Sequence, residues 1–273
     1  MAVKRLLALI FVLMMPACAV RAAMVTRSID WTLDGTRFHS VLVYDDASSA
    51  PRAGLLMVPN WYGINRDAIA KARMIAGDRY VILLTDMYGA DVRPTTTAQA
   101  QAAVKPLYAD RALMRARMLK ALGELRAQEA HAPIDPARIA AIGFCFGGSA
   151  VLDLARAGAR IAAVVTFHGI LSTDNPALAK NIKADVLVLT GNDDQAVPPS
   201  ARAAFEQEMR EGGVKRWALV DFGGAVHCFT EAAQKPAPNC VYDAPVAKRA
   251  YQFMRVWLDD AFSEHVRRMP VGT

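Results

Sequence analysis

Arg138-Ile139-Ala140-Ala141-Ile142-Gly143-Phe144-Cys145-Phe146-Gly147-Gly148 is the stretch on which the reading of this chain turns. A short run with β-branched isoleucines ends in Gly-x-Cys-x-Gly-Gly, and a helix-compatible segment, Ser149 to Ala155, follows. Strand, sharp turn and helix in that order make a nucleophile elbow, with cysteine where serine is commoner. The spacing has a steric reason. The nucleophile of an elbow sits in a strained backbone conformation while strand and helix close around it, so side chains two positions before and after it would collide. Gly143 and Gly147 stand at those two positions. Such a turn aims the Cys145 sulfur out of the sheet and leaves the Phe146 N–H at a helix N-terminus, a place that suits a thiolate or an oxyanion.

Two later stretches belong with it. Val186 to Thr190 reads as a buried strand and runs into Gly191-Asn192-Asp193-Asp194-Gln195-Ala196-Val197-Pro198. Trp217 to Val220 reads as another and leads to Phe222-Gly223-Gly224-Ala225-Val226-His227-Cys228-Phe229-Thr230. Cysteine, acid and histidine thus follow one another just past predicted strands, in the chain order of α/β-hydrolases. With these pieces the chain resembles the dienelactone hydrolase family, in which Gly-x-Cys-x-Gly-Gly, Gly-x-x-Asp-x-x-Val-Pro and Val-His-x-Phe-Thr recur. The resemblance takes in Asn60-Trp61-Tyr62-Gly63-Ile64-Asn65 and Asp86-Met87-Tyr88-Gly89, and spans about Asp34 to Leu258.

The chemistry expected of these residues is nucleophilic. Cys145 would attack, His227 would take its proton, and Asp194 would hold the imidazole and stabilise its cation. The family spacing, with Val197-Pro198 following, selects Asp194 over Asp193. The Phe146 N–H would receive an oxyanion, and the resemblance implies Trp61 as the second backbone donor. Asn60, Tyr62, Tyr88, Arg93 and His168 are expected around the substrate cleft. The resemblance also exposes departures. Dienelactone hydrolases proper carry a glutamate where this chain has Asn60, and two carboxylate-holding arginines where it has Ala90 and Glu231. The triad is kept and the arginine clamp is not, with Arg93, three residues past Ala90, as a possible replacement from the same loop. No metal and no cofactor are expected.

The rest of the chain fits a three-layer α/β-hydrolase fold with a mostly parallel sheet and an N-terminal antiparallel hairpin. Ile29, Trp31 and Leu33 alternate with polar residues, and Asp34-Gly35 turns the chain into Phe38 to Tyr44. Leu55 to Val58, Tyr80 to Leu84 and Ile161 to Phe167 read as further strands. Helices are expected from Asn65 to Ala76, from a cap at Ser200 to Met209, and after a cap at Asp243. Met114, Met118, Leu122 and Leu125 fall at helical spacing and should form core. Ligands of such sheets bind beyond the carboxyl ends of the strands, where every motif above lies.

Residues 1–22 read as a secretory signal peptide: a basic start at Lys4 and Arg5, an apolar run from Leu6 to Met15, then small residues. Residues 23–273 would form one domain, periplasmic or secreted, with no membrane span in the mature protein. Losing Lys4, Arg5 and Arg21 lowers the formal charge from +6 to +3. The remaining basic residues are scattered among acids, so nucleic acid is not an expected partner; a small-molecule ester or lactone is. Export also places Cys228 and Cys240, the two cysteines of the mature chain besides Cys145, in an oxidising compartment, where they are expected to pair. Three outcomes fit these readings: an exported hydrolase of an ester, lactone or thioester, an acyltransferase with the same triad, or a silent binding protein that kept the cleft.

Overall fold

The computed structural model describes residues 23–268. The expected leader, residues 1–22, lies outside them. Eight strands form one sheet: β1 (Met24–Leu33), β2 (Thr36–Asp45), β3 (Arg52–Val58), β4 (Tyr80–Leu84), β5 (Ile134–Phe144), β6 (Ala163–Phe167), β7 (Asp185–Gly191) and β8 (Trp217–Phe222). Their spatial order is β1-β2-β4-β3-β5-β6-β7-β8. The first two pairings are antiparallel and the others parallel. The β1–β2 hairpin turns on Asp34 and Gly35, at φ 47° and 75°. Positive φ at both central residues matches the right-handed twist of the strands, which is why Asp-Gly serves here.

Among the described residues six α-helices cover the sheet: α1 (Arg66–Ala76), α2 (Thr97–Ala109), α3 (Arg111–Ala127), α4 (Phe146–Arg156), α5 (Pro199–Glu211) and α6 (Ala244–Arg268). Side chains alternate across a strand, so β3 sends Leu56 and Val58 into one core and Leu55 and Met57 into the other. The first core lies under α2 to α5 and includes Met114, Met118, Leu122 and Leu125, all buried as their spacing predicts. The second lies under α1 and α6 around Ile75, Met254 and Leu258.

Helix starts follow their caps, with one correction and one addition. Asn65 accepts the Ala68 N–H at 2.9 Å, and Asp243 accepts that of Val246 at 3.0 Å. Helix α5 is not capped by Ser200; Pro198 is the cap residue and Pro199 opens the helix. Proline's fixed φ suits the first helical position, and its missing N–H leaves one orphan donor fewer to satisfy. Helix α2 is absent from the sequence-based expectation. Its signal was present, since Thr96 and Gln99 form a reciprocal capping box.

Helix α4, which starts at the elbow, is anchored at its far end by buried charge. The Arg156 guanidinium, 1% exposed, pairs with both carboxylate oxygens of Glu208 on α5 at 2.8 Å and with Asp153 at 3.2 Å. It also donates to the Leu171 carbonyl at 2.8 Å. Arg111, at the start of α3, reaches the other Asp153 oxygen at 3.2 Å. Two acids and two arginines thus neutralise one another between three helices. Arg156→Ala should cost about 3–5 kcal/mol, because it strands the buried Glu208 carboxylate and leaves Asp153 to Arg111 alone. Arg156→Lys should recover only part of this, since an ammonium cannot reproduce the planar fork. Urea unfolding of both variants measures it.

Candidate active site

The sheet delivers the expected residues to one edge, because β5, β7 and β8 each end in the loop that carries one of them. Cys145 follows β5 with φ 52° and ψ −116°, a conformation that few non-glycine residues adopt. A Cβ on Gly143 would lie 2.0 Å from the Gly147 carbonyl oxygen, and one on Gly147 would lie 2.2 Å from that of Val58. The two glycines are therefore there for closeness, as the sequence argument required. The Cys145 sulfur lies 3.1 Å from His227 Nε2, and His227 Nδ1 lies 2.7 Å from Asp194 Oδ2. The acid is 2% exposed. Burial alone pulls the His227 imidazole down, but the sulfur's charge and the Asp194 hydrogen bond outweigh it and push the ring up to about 10. Such a line of atoms can pass a proton from sulfur to ring and hold the resulting cation.

The loop after β3 lies across from the elbow. Asn60 Oδ1 accepts the Tyr62 N–H at 3.0 Å, and the Gly63 N–H bonds back to the Asn60 carbonyl at 2.9 Å, making a tight turn with Trp61 inside it. The Tyr88 hydroxyl donates to the Trp61 carbonyl at 2.9 Å, while its ring stacks on Phe146. Between this loop and the segment 227–240 opens a cleft of about 1180 Å³ with Cys145 and His227 in its wall. Trp61, Tyr62, Val104, Tyr108, Phe146 and Ile170 are among the residues that line it. Burial pushes the Tyr108 phenol up to about 12, so that wall stays neutral. Cys228 and Cys240 are joined in a disulfide with Cα atoms 4.8 Å apart, and both border the cleft; Cys145 is free.

Residues 38–262 match the Dienelactone hydrolase family. The chain belongs to the dienelactone hydrolase family. The crystal structure of a dienelactone hydrolase-like promiscuous phosphotriesterase from metagenomic libraries is 35% identical to it. That match covers 88% of this chain and 99% of the other, with a TM-score of 0.81. A Bradyrhizobium protein named as a probable 2-oxo-3-(5-oxofuran-2-ylidene)propanoate lactonase is 29% identical over 220 residues, 76% of this chain and 86% of its own. An uncharacterized protein of Caenorhabditis elegans is 33% identical over 135 residues, 48% of this chain and 84% of its own. The protein is accordingly a hydrolase of this family, and no helix among its described residues is long and apolar enough to cross a membrane.

Beside Cys145 and His227 the structure sets a buried carboxylate and a cation. Glu231, where the resemblance implied an arginine, is 6% exposed; it accepts from Asn60 Nδ2 at 2.6 Å and pairs with Lys71 of α1. A carboxylate thus stands next to position 60, carried by the loop of His227 and compensated by a cation. Arg93 does not line the cleft. Its guanidinium donates to the Gly89 and Val92 carbonyls, both at 2.8 Å, and to Asp86 at 3.2 Å, so its fork is occupied within its own loop. Tyr88 and His168 do not line it either: Tyr88 lies behind Trp61, and His168 is fully buried, edge-on to His227 at 5.0 Å. Sequence reasoning could place these three near the site but not on a side of a loop.

His168 shares a 2.7 Å hydrogen bond with Thr230. Burial first, then the charges of His227 and Lys71, hold its pKa well below the ordinary histidine value. Below about pH 6.5 the unfolded chain takes up a proton that the native ring refuses, so stability is present above that pH and lost as pH falls. Relative to His168→Gln, the wild-type protein should lose up to about 1.4 kcal/mol per pH unit between pH 6.5 and 5. Denaturant titrations across that range give the difference, and parallel lines would refute it.

Proposed function

We propose that this family member is an exported cysteine hydrolase acting on neutral esters or lactones. The observation that carries the reading is the unbroken line Cys145 Sγ–His227–Asp194, at 3.1 and 2.7 Å, in the wall of an apolar cleft. The Cys145 thiolate adds to the carbonyl carbon and the carbonyl oxygen becomes an oxyanion, received by the backbone N–H groups of Phe146 and Trp61. Each such donor is worth about 3 kcal/mol at the transition state. Collapse expels the alkoxide, which takes its proton from the imidazolium, and leaves an acyl thioester on Cys145. Water, deprotonated by His227, adds to that thioester; the second collapse releases the carboxylic acid and restores the thiolate.

The preference for neutral substrates rests on the charges available. The cations bordering the cleft, apart from the Lys71 already paired behind it, are Arg66 and Lys235, both exposed on the rim. Glu231 carries the wrong sign for a carboxylate and Arg93 is committed elsewhere, so a charged acid inside the cleft would find no buried bidentate partner, only the solvent-exposed Arg66 at the rim. The likeness to a promiscuous phosphotriesterase favours a second reading, in which the same thiolate also attacks neutral phosphotriesters. Export is supported by the pattern of residues 1–22 and by the Cys228–Cys240 bond, which suits an oxidising compartment.

Cys145→Ala and His227→Ala should each lower kcat on an activated aryl ester by at least ~10³-fold, because triad members act as a unit. Wild-type enzyme should show burst release, which a binding protein would not, and an active Cys145→Ala variant would refute the mechanism. Among size-matched substrates the neutral ester should have the higher kcat/KM, at low and high salt alike. Preference for the acid, abolished by Arg66→Ala, would reverse the substrate assignment.

The intact mass of the protein recovered from the periplasm tests the export reading separately. It should correspond to a chain starting between Val20 and Met24. A cytoplasmic chain beginning at Met1 would exclude export.

A further inference from the structure

The loop closed by Cys228 and Cys240 reaches back to the proposed triad. Asp194 uses one oxygen, Oδ2, on His227. Its other oxygen, Oδ1, accepts the Ala196 N–H at 2.8 Å and the side-chain amide of Asn239, Nδ2, at 3.1 Å. Asn239 Oδ1 in turn accepts the Gln195 N–H at 3.0 Å, so both ends of one amide are spent on the turn that carries the acid. Asn239 precedes Cys240, Cys240 is bonded to Cys228, and Cys228 follows His227. Covalent bonds and hydrogen bonds therefore close a ring: His227, Cys228, Cys240, Asn239, Asp194 and back to His227. The Val241 N–H bonds to the His227 carbonyl at 3.1 Å and stitches the two cysteine segments beside it.

We propose that Asn239 is a positioning residue for the Asp194 carboxylate, and that the disulfide acts on the reaction by presenting it. This rests on the Cys145–His227–Asp194 reading. A carboxylate has acceptor sites on both oxygens, and with only one held it can swing about its terminal torsion. Two donors on Oδ1 fix the plane of the group and keep Oδ2 turned toward the imidazole. A neutral amide does this without adding a charge that competes with His227. The disulfide contributes by closing the loop: Asn239 is held near Asp194 without ordering an open eleven-residue segment at each encounter. Pro236 and Pro238 restrict the loop further.

The test uses the full mature chain and four variants: Asn239→Ala, Asn239→Asp, Cys228→Ala/Cys240→Ala, and that pair with Asn239→Ala added. Each is checked for folding by its thermal midpoint. Two quantities are read: kcat and KM on an activated aryl ester, and the pH profile of Cys145 alkylation by iodoacetamide without substrate. Asn239→Ala should lower kcat about tenfold, the worth of one hydrogen bond to a charged group, with little change in KM. It should also move the alkylation profile to higher pH, because a loosely held imidazolium supports the thiolate less well. Asn239→Asp keeps the size and the acceptor for Gln195 but loses the donor, and should lose at least as much.

The bridge-less pair should resemble Asn239→Ala, and adding Asn239→Ala to it should cost little more, since both act through one contact. Wild-type kcat and alkylation in the folded Asn239 variants would overturn the proposal. So would losses that multiply in the triple variant, because bridge and amide would then act separately. A Cys145→Ala enzyme that still turned over would sink the underlying mechanism instead. The alkylation profile of the Asn239 variants needs no turnover and would still decide the role of Asn239.

Discussion

The fold depends on one close approach. At the elbow, strand and helix meet so tightly that a single methyl on Gly143 would overlap the Gly147 carbonyl at 2.0 Å. Contact at that distance is available only to residues without a Cβ, and it forces Cys145 into a positive φ. The strain is held by what lies around it. The Cys145 N–H bonds to the Phe167 carbonyl at 3.0 Å, which ties the turn to β6, while the far end of α4 is pinned by the Arg156 charge cluster. Helix α4 is anchored at both ends, and its N-terminus stays aimed at the cleft.

Precision among the loops comes from ties between them. Tyr88 holds the Trp61 carbonyl, Asn60 meets Glu231, and Asn239 meets Asp194. Each tie joins segments that follow different strands, so no loop has to find its geometry alone. This is how a site made of loop residues reaches the tolerances that acyl chemistry needs.

The electrostatics follow the same economy. Buried charges here occur in compensated sets: Glu231 with Lys71, Asp194 with the His227 ring, Asp153 and Glu208 with Arg156 and Arg111. Buried His168 lies 3.7 Å from the Glu231 carboxylate, whose charge Lys71 already compensates, and burial keeps its ring neutral. A neutral ring against His227 fills space and excludes water without repelling the imidazolium. The side of the cleft facing the substrate is left largely apolar.

Fold class, hairpin and the strand-end positions of Cys145, Asp194 and His227 were legible in the sequence, because they are set locally. A Gly-x-Cys-x-Gly-Gly turn, an Asp-Gly hairpin and β-branched runs each dictate their own backbone, and chain order then fixes which loops meet. The disulfide was legible too, from the number of cysteines and the compartment that the leader-like residues 1–22 led one to expect. Helix α2 has a local signal as well, the Thr96–Gln99 capping box at its start. What only the tertiary structure decided are partnerships across long separations. Arg93 spends its fork inside its own loop, Glu231 faces Lys71 160 residues away, Asn239 reaches Asp194 across 45, and Arg156 meets Glu208 across 52. A side chain's direction is set by the packing of both elements that flank it, and one chain segment read alone holds only half of that information.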